Sequence, residues 1–523
     1  MRARLATCAA VAVSALAFSL YTRVEWRWFA LGWIGFVPWL AALDRQRSLR
    51  GALALGLVMS VAFVLAVFSW FALAMRTYTG ASTLGALAVL LLIAPLLEPQ
   101  LVVFAGVRHV LRQRAGFGYA AFTASLAYVG TEWLWPKLFG DTIGHGFLVS
   151  PLMRQAADLF GAHGFTFVLI LANECARAVI DPARWRAGAV RALAPAALVA
   201  AMALALVGYG SWRLRDLARA DGSTAPVTAA LVQADIAEYD RLRAERGTFE
   251  AVREILDAHM ELSARALERG GVDVLVWPET VYPTTFGRPK SEDGAMFDRS
   301  IAGFATERNV PIVFGAYDAD ETGEFNAAVF LEPAAEGRIT FDAYRKARLF
   351  LLTERLPAVL ESPVIRRWLP WLGTWKPGPG PQTMDLTLRD GPTLRVAPLI
   401  CLDAVDPGLA LEEARRGAEV IVTLSNDSWF AEGNGPNLHL TVSAFRSLET
   451  RRPQLRATNT GISAVITPAG EIVASAGVHE RRALVATVTP SRARTLMLAW
   501  GDWFGPAALV SALLLLAGAF VRR

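Results

Sequence analysis

Val272-Asp273-Val274-Leu275-Val276-Trp277-Pro278-Glu279 is the stretch that decides how the larger part of this chain folds. Residues 274–277 form a continuous apolar run with β-branched members, as in a strand buried on both faces of an α/β sheet. Pro278 cannot donate to a ladder and ends the strand, so the Glu279 carboxylate is presented at a defined place. Outward from it, β-rich runs recur at 227–232, 310–315, 327–331, 394–400, 420–424, 463–467 and 483–488. Amphipathic helical stretches lie between several of them, at 249–269, 295–307, 409–417 and 438–449. Strands alternating with helices predict one α/β domain over residues 225–490, long enough for a substantial core. Residues 211–224, rich in Arg, Asp and Gly, read as a linker into it.

Upstream, the composition is of another kind. Of 523 residues, 54% are hydrophobic and 19% charged, against roughly 45–50% and 25% for soluble globular chains. The first 210 residues hold 8 acids against 17 bases, and the remainder 39 against 35, so the basic excess sits among apolar runs. A net charge of +5 is therefore no argument for nucleic-acid binding, and no nucleic-acid partner is expected. Apolar stretches occur near 5–20, 28–43, 51–75, 83–107, 117–136, 161–180, 190–209 and 503–521. Crossing a ~30 Å hydrocarbon core takes ~20 helical residues. Seven spans are expected within residues 1–210 and a final one within 500–523. The first also resembles a secretory signal; a retained helix is preferred, because no small-residue cleavage site stands out before Tyr21. Eight spans put both termini on one side. Fourteen arginines, among them Arg45, Arg112, Arg184 and Arg523, share the N-terminal side, against five basic residues opposite. The termini should be cytoplasmic and residues 211–500 outside, in the periplasm of a double-membrane bacterium. Glu98, Glu132, Asn173 and Glu174 fall inside spans, where polar groups serve function or interhelical packing.

Three chemical groups stand at strand ends: Glu279, Lys346 and Cys401. The chain has 48 Arg and only 4 Lys, which sets Lys346 apart. Cys8, Cys175 and Cys401 are far apart, so no disulfide scaffold is expected. Alone, the three candidates have plain readings: a surface carboxylate, a solvated lysine and a small buried hydrophobe. Together they form a coherent set. A Cys nucleophile needs a base, and none of His259, His439 and His479 sits in a Cys–His signature. A Glu base with an adjacent ammonium solves the same problem, the ammonium stabilising thiolate and oxyanion alike.

These residues resemble the carbon–nitrogen hydrolase, or nitrilase, superfamily, through Trp277-Pro278-Glu279, Tyr344-Arg345-Lys346 and Ile400-Cys401. With seven spans before and one after, the chain is similar to the apolipoprotein N-acyltransferase family. Val232-Gln233, Pro377-Gly378-Pro379-Gly380, Ser425-Asn426-Asp427-Ser428-Trp429-Phe430, Arg456-Ala457-Thr458-Asn459-Thr460-Gly461 and Gly501-Asp502-Trp503-Phe504 add to the likeness, as does Asp158-Leu159-Phe160-Gly161 with Gly164-Phe165. The resemblance implies a polytopic α-helical membrane domain of about eight spans plus an α/β, nitrilase-like αββα sandwich. It implies Glu279 as general base, Cys401 as acylated nucleophile and Lys346 as oxyanion stabiliser, with Glu354 as the family's second glutamate. The activity implied is transfer of a phospholipid acyl chain, held as a thioester, to the N-terminal amine of a diacylglyceryl-cysteine lipoprotein. No cofactor or metal is implied, and a monomer is expected. The rival is a membrane-tethered amidase with water as acceptor.

The sequence departs from the family at Leu402-Asp403, where Tyr-Glu is usual, at 348–354, and near Leu242, where an aromatic is usual. Glu354, Asp403, Asn426 and Trp429 are expected to contact substrate. So are Trp368 and Trp371, within a cluster over 349–375 that suits either core packing or a lid in the membrane interface.

Overall fold

The computed structural model describes residues 2–220, 225–236, 239–351, 353–356, 361–368, 373–389 and 391–521. Two compact units result: residues Met1–Asp216, Glu432–Thr441 and Trp500–Arg523 form the first, Leu217–Ala431 and Val442–Ala499 the second.

The first unit is helical. Each apolar stretch of the sequence is helical, yet the expected eight spans are not found as eight long helices. Among the described residues, five helices are long and apolar enough to cross a membrane: Arg4–Tyr21, Leu49–Val67, Met153–Val179, Ala189–Arg219 and Phe504–Val521. Thr83–Leu97 and Gln100–Arg114 make a sixth candidate, bent by 42°. The bend has a local cause, for Pro99 has no N–H to continue the ladder and Glu98 leaves helical geometry. The stretch near 28–43 breaks into Phe29–Ile34 and Val37–Leu43. Buried Asn173 repairs that break, accepting from Phe36 N at 2.7 Å and donating to Gly32 O at 2.8 Å. The three acids expected inside spans also pair: Glu174 with Arg108, and both Glu98 and Glu132 with Lys137. A buried charge is tolerable only when matched.

The described residues of the second unit form two six-stranded sheets. In chain order its strands are β1 Val227–Gln233, β2 Val274–Val276, β3 Ile312–Asp320, β4 Gly323–Pro333, β5 Ile339–Arg345, β6 Met384–Thr387, β7 Thr393–Ile400, β8 Val420–Ser425, β9 Gln454–Thr458, β10 Ser463–Ile466, β11 Ile472–Ala476 and β12 Arg482–Val488. The sheets run β12-β1-β2-β3-β4-β5 and β11-β10-β9-β8-β7-β6. Parallel pairing joins β1–β2–β3 in one and β7–β8–β9 in the other. One core, with Leu231, Val276, Val396 and Val422, draws on both sheets; a second packs the helices Thr248–Leu267 and Glu292–Arg308 against the first sheet. A third packs Pro407–Arg415 against β7 and β8. The layers are those of an αββα sandwich.

Candidate active site

The site stands where strands end, as ligand sites do in α/β sheets. After β2, Trp277 is fully buried and its Nε1 donates to Ser263 Oγ at 2.9 Å, fixing the turn that carries Glu279. Gly315 on β3 passes so close that a Cβ there would lie 2.4 Å from Thr280 N and 2.5 Å from Glu279 Cα. Glu279 is buried and accepts three hydrogen bonds. Its Oε1 takes Asn326 Nδ2 at 2.7 Å and Lys346 Nζ at 3.0 Å, while Oε2 takes Asn426 N at 2.9 Å.

Lys346 follows β5. Its N–H donates to Asn326 O at 2.8 Å, and its carbonyl accepts from Gly378 N at 2.7 Å. Only glycine fits at 378, since a Cβ would come within 2.2 Å of Arg345 O. The buried ammonium bridges Glu279 and Glu354, reaching the latter's Oε1 at 2.8 Å. Burial alone would lower its pKa, but the two carboxylates prevail and hold it well above the usual lysine value. Glu354 is itself oriented by Phe350 N, which donates to Oε2 at 2.8 Å.

Cys401 follows β7 directly and opens a short 3-10 turn, Cys401–Val405. Its φ is +48°, in the left-handed region a side chain rarely adopts. Such a backbone costs about 1–3 kcal/mol and persists only where its surroundings enforce it. Burial pushes the thiol's pKa up, Glu279 adds to that, and Lys346 opposes it, so the resting group is a thiol beside a base. A carboxylate oxygen of Asp427 lies within 4.8 Å of the sulfur. Asp427 is neutralised by Arg456 at 3.0 Å, both being fully buried.

Asp403 is placed otherwise than the sequence suggests. It is fully buried and its carboxylate is occupied by the protein. Oδ1 accepts from Ala347 N at 3.2 Å and Arg348 N at 2.7 Å; Oδ2 accepts from Ile400 N at 3.1 Å and Tyr344 Oη at 3.0 Å. The residue ties the segment entering Cys401 to the segment leaving Lys346. Burial pushes its pKa up to about 7, against Lys346 and those donors.

Of the remaining expected residues, Asn426 reaches Glu279 through its backbone N–H rather than its side chain. Trp429 is half-buried and packs edge-on against Phe350, 5.0 Å between centroids. Trp368 ends the short helix Pro363–Trp368 and is 79% exposed. Trp371 lies outside the described residues. Leu242 is half-buried on the helix Tyr239–Arg246. The 349–375 cluster is mixed, for Phe350 and Leu356 are buried whereas Leu351 and Val364 are exposed.

Sequence reasoning passed over two residues. Asn326 donates to both glutamates, reaching Glu354 Oε1 at 3.3 Å; its one signal is a lone amide inside the apolar run of β4. Tyr344 stands in the quoted Tyr-Arg-Lys motif but carried no assigned role.

Comparison with known proteins agrees with this construction. Residues 228–497, just over half of the chain, match the carbon-nitrogen hydrolase family, and residues 10–175 match the apolipoprotein N-acyltransferase N-terminal domain. The apolipoprotein N-acyltransferase of Bdellovibrio bacteriovorus is 28% identical over 485 residues, covering 89% of this chain and 85% of its own. That of Geobacter metallireducens is 26% identical over 513 residues, covering 94% of this chain and 91% of its own. The crystal structure of carbon-nitrogen hydrolase from Helicobacter pylori G27 aligns with 57% of this chain and 95% of its own, at 16% identity and a TM-score of 0.37. The chain belongs to the carbon-nitrogen hydrolase family, in its apolipoprotein N-acyltransferase branch, and is an acyltransferase.

Proposed function

We propose that this protein N-acylates the N-terminal diacylglyceryl-cysteine of lipoproteins, taking the acyl chain from a membrane phospholipid through a thioester on Cys401. The observation that carries the reading is the Glu279–Lys346–Glu354 cluster beside a cysteine held at positive φ. The names of the relatives and the apolar helices of the first unit support it.

In the first half-reaction Glu279 takes the thiol proton as sulfur attacks the phospholipid ester carbonyl. The tetrahedral oxyanion is stabilised by the Lys346 ammonium. Collapse breaks the ester C–O bond, and protonated Glu279 returns its proton to the departing lysophospholipid oxygen. In the second half-reaction the lipoprotein amine attacks the thioester carbonyl, Glu279 accepts an amine proton, and the amide forms as Cys401 leaves and is reprotonated. Both half-reactions use one base and one cation, and no cofactor enters either.

The same reading takes residues 1–210 and 500–523 as the membrane domain and 225–490 as the catalytic domain. It assigns the bacterial inner membrane, a periplasmic catalytic domain, cytoplasmic termini and a monomer, the arginine asymmetry being what supports the orientation. Exposed Trp368 fits a lid over the acyl chain that meets the interface, with Trp429, Asn426 and Asp403 shaping the site beneath.

The test is to incubate the detergent-purified protein with phospholipid and a diacylated lipopeptide and to weigh the lipopeptide. One added acyl chain on its α-amine, lost in Cys401→Ala and Glu279→Gln, is the expected result. Ammonia release from small amides without lipopeptide acylation would favour the hydrolase instead.

A further inference from the structure

The first unit holds a second concentration of charge, where the helices Gln100–Arg114 and Ala157–Val179 end. Asp44, just beyond Val37–Leu43, receives three guanidinium groups on its two oxygens. Arg108 Nη1 donates to Oδ1 at 2.7 Å, Arg112 Nη1 donates to the same oxygen, and Arg177 Nη2 lies 2.8 Å from Oδ2. Glu174 grips Arg108 as well, through Nε and, at 3.0 Å, through Nη2. Three cations against two carboxylates leave one positive charge over. Arg184 brings another to the same place. Its guanidinium stands 4.3 Å from the centroid of Phe117, and Arg112 lies 5.4 Å from the same ring.

Basic side chains in the last turn of a helix complement its dipole, which accounts for Arg112 and Arg177 being near these ends. It does not account for all three converging, since like charges repel and two carboxylates offset only two of them. Nor does it account for Arg177 Nε, which is buried without a hydrogen-bond partner among the described residues. An unmet N–H of a charged group is costly, because its water partner is lost and not replaced.

A third feature meets these two. The helix Phe117–Leu134 begins here behind Gly116, at φ 80°, with no side chain capping it. A Cβ built on Gly116 or on Gly118 would meet nothing within 4 Å, so this helix start opens onto free space. The first N–H groups of a helix lack intrahelical partners and carry the positive end of its dipole.

We infer that Arg112, Arg177, Arg184 and the start of Phe117–Leu134 bind the phosphate of an anionic phospholipid headgroup, a lipid held for its charge and not consumed. The inference rests on the first unit being a membrane domain. Guanidinium forks match phosphate oxygens, and basic pockets between membrane helices take anionic headgroups. Asp44 then acts as the pivot that turns Arg112 and Arg177 toward the ligand.

The test uses the full chain in an uncharged detergent, with phosphatidylglycerol, phosphatidylcholine and inorganic phosphate as probes. The readouts are retained lipid by native mass spectrometry and the thermal midpoint, neither of which depends on acyl transfer. Phosphatidylglycerol should remain as an adduct and raise the midpoint, and phosphatidylcholine should do neither. Arg184→Gln, a substitution clear of the Asp44 pivot, should lower phosphatidylglycerol retention about tenfold, the loss of a charge-assisted contact to phosphate. Arg177→Gln should lower it further, and Arg47→Gln, on an exposed site, should not change it. A midpoint shift with phosphatidylglycerol alone identifies a lipid headgroup; the same shift with inorganic phosphate identifies a free anion at the same site. Equal phosphatidylglycerol retention by wild type, Arg184→Gln and Arg177→Gln would overturn the inference.

Discussion

Cys401 is held at positive φ by its surroundings rather than by its own preference, and Asp403 ties the strand that enters it to the lysine segment. All four partners of that carboxylate are donors, two from the lysine segment, one from Tyr344 and one from the nucleophile strand. Asp403→Asn would turn an amide N–H toward some of them and should destabilise the second unit by about 1–3 kcal/mol. The substitution should also change the response to pH. With a folded-state pKa of about 7 and an unfolded value near 3.8, the native protein keeps a proton the unfolded chain has released between those limits. Stability from this group therefore falls as pH rises from about 4 to about 7 and is level above. Thermal midpoints at pH 5 and pH 8 check it: wild type should lose more than Asp403→Asn, and parallel losses would count against the account. Gly315 makes a second prediction at this scale. Gly315→Ala must displace Pro278, Glu279 or Thr280, and a shift of about 1 Å in a catalytic group costs on the order of 100-fold in rate. Acyl transfer should fall by about that factor while the circular dichroism spectrum is unchanged.

At the scale of elements, the runs that carry strong apolar signals became strands close to where they were expected: β1, β3, β4, β7, β8, β10 and β12, with β2 shortened to Val274–Val276. Three of the others were illegible for physical reasons. β5 is an edge strand with Tyr344 its one buried residue, so Ile-Thr-Phe-Asp-Ala-Tyr-Arg shows no buried run. β9 is wholly buried, yet Gln454 and Arg456 interrupt its apolar pattern because their polar ends are met inside, by Thr423, Ser443 and Asp427. β11 is a second edge. The candidate site was legible where motif and strand end coincide, at Glu279, Lys346 and Cys401. Asn326 was not, for its role comes from pairing across β4 and β5, which no local pattern encodes. The segment after β5 supports a test of its own. Trp368 is 79% exposed on its short helix, an unfavourable setting for an indole in water. If it enters the membrane interface, Trp368→Ser gives up roughly 1.5–3 kcal/mol of burial and should slow acyl loading about tenfold without altering the thermal midpoint. Unchanged loading would remove the lid from the account.

Over the whole molecule, the two compositions map onto two kinds of unit, an apolar helical one and a two-sheet α/β one. The boundary is less simple than the sequence suggests, since residues Glu432–Thr441 belong to the helical unit although they lie far inside the α/β sequence. The helical unit also departs from a plain bundle of equal spans, with a bend at Glu98-Pro99 and a break at Gly35-Phe36 that Asn173 satisfies. The central claim joins both units in one activity: a buried cysteine beside Glu279 and Lys346 that takes its acyl group from lipid. The direct measurement is the intact mass of the purified protein after incubation with phospholipid alone, followed by analysis of the peptide containing Cys401. The account predicts one fatty-acyl adduct on Cys401, removed by hydroxylamine, discharged by a diacylated lipopeptide and absent in Cys401→Ala. A protein that stays at its unmodified mass with phospholipid, yet acylates the lipopeptide at the wild-type rate, would contradict it.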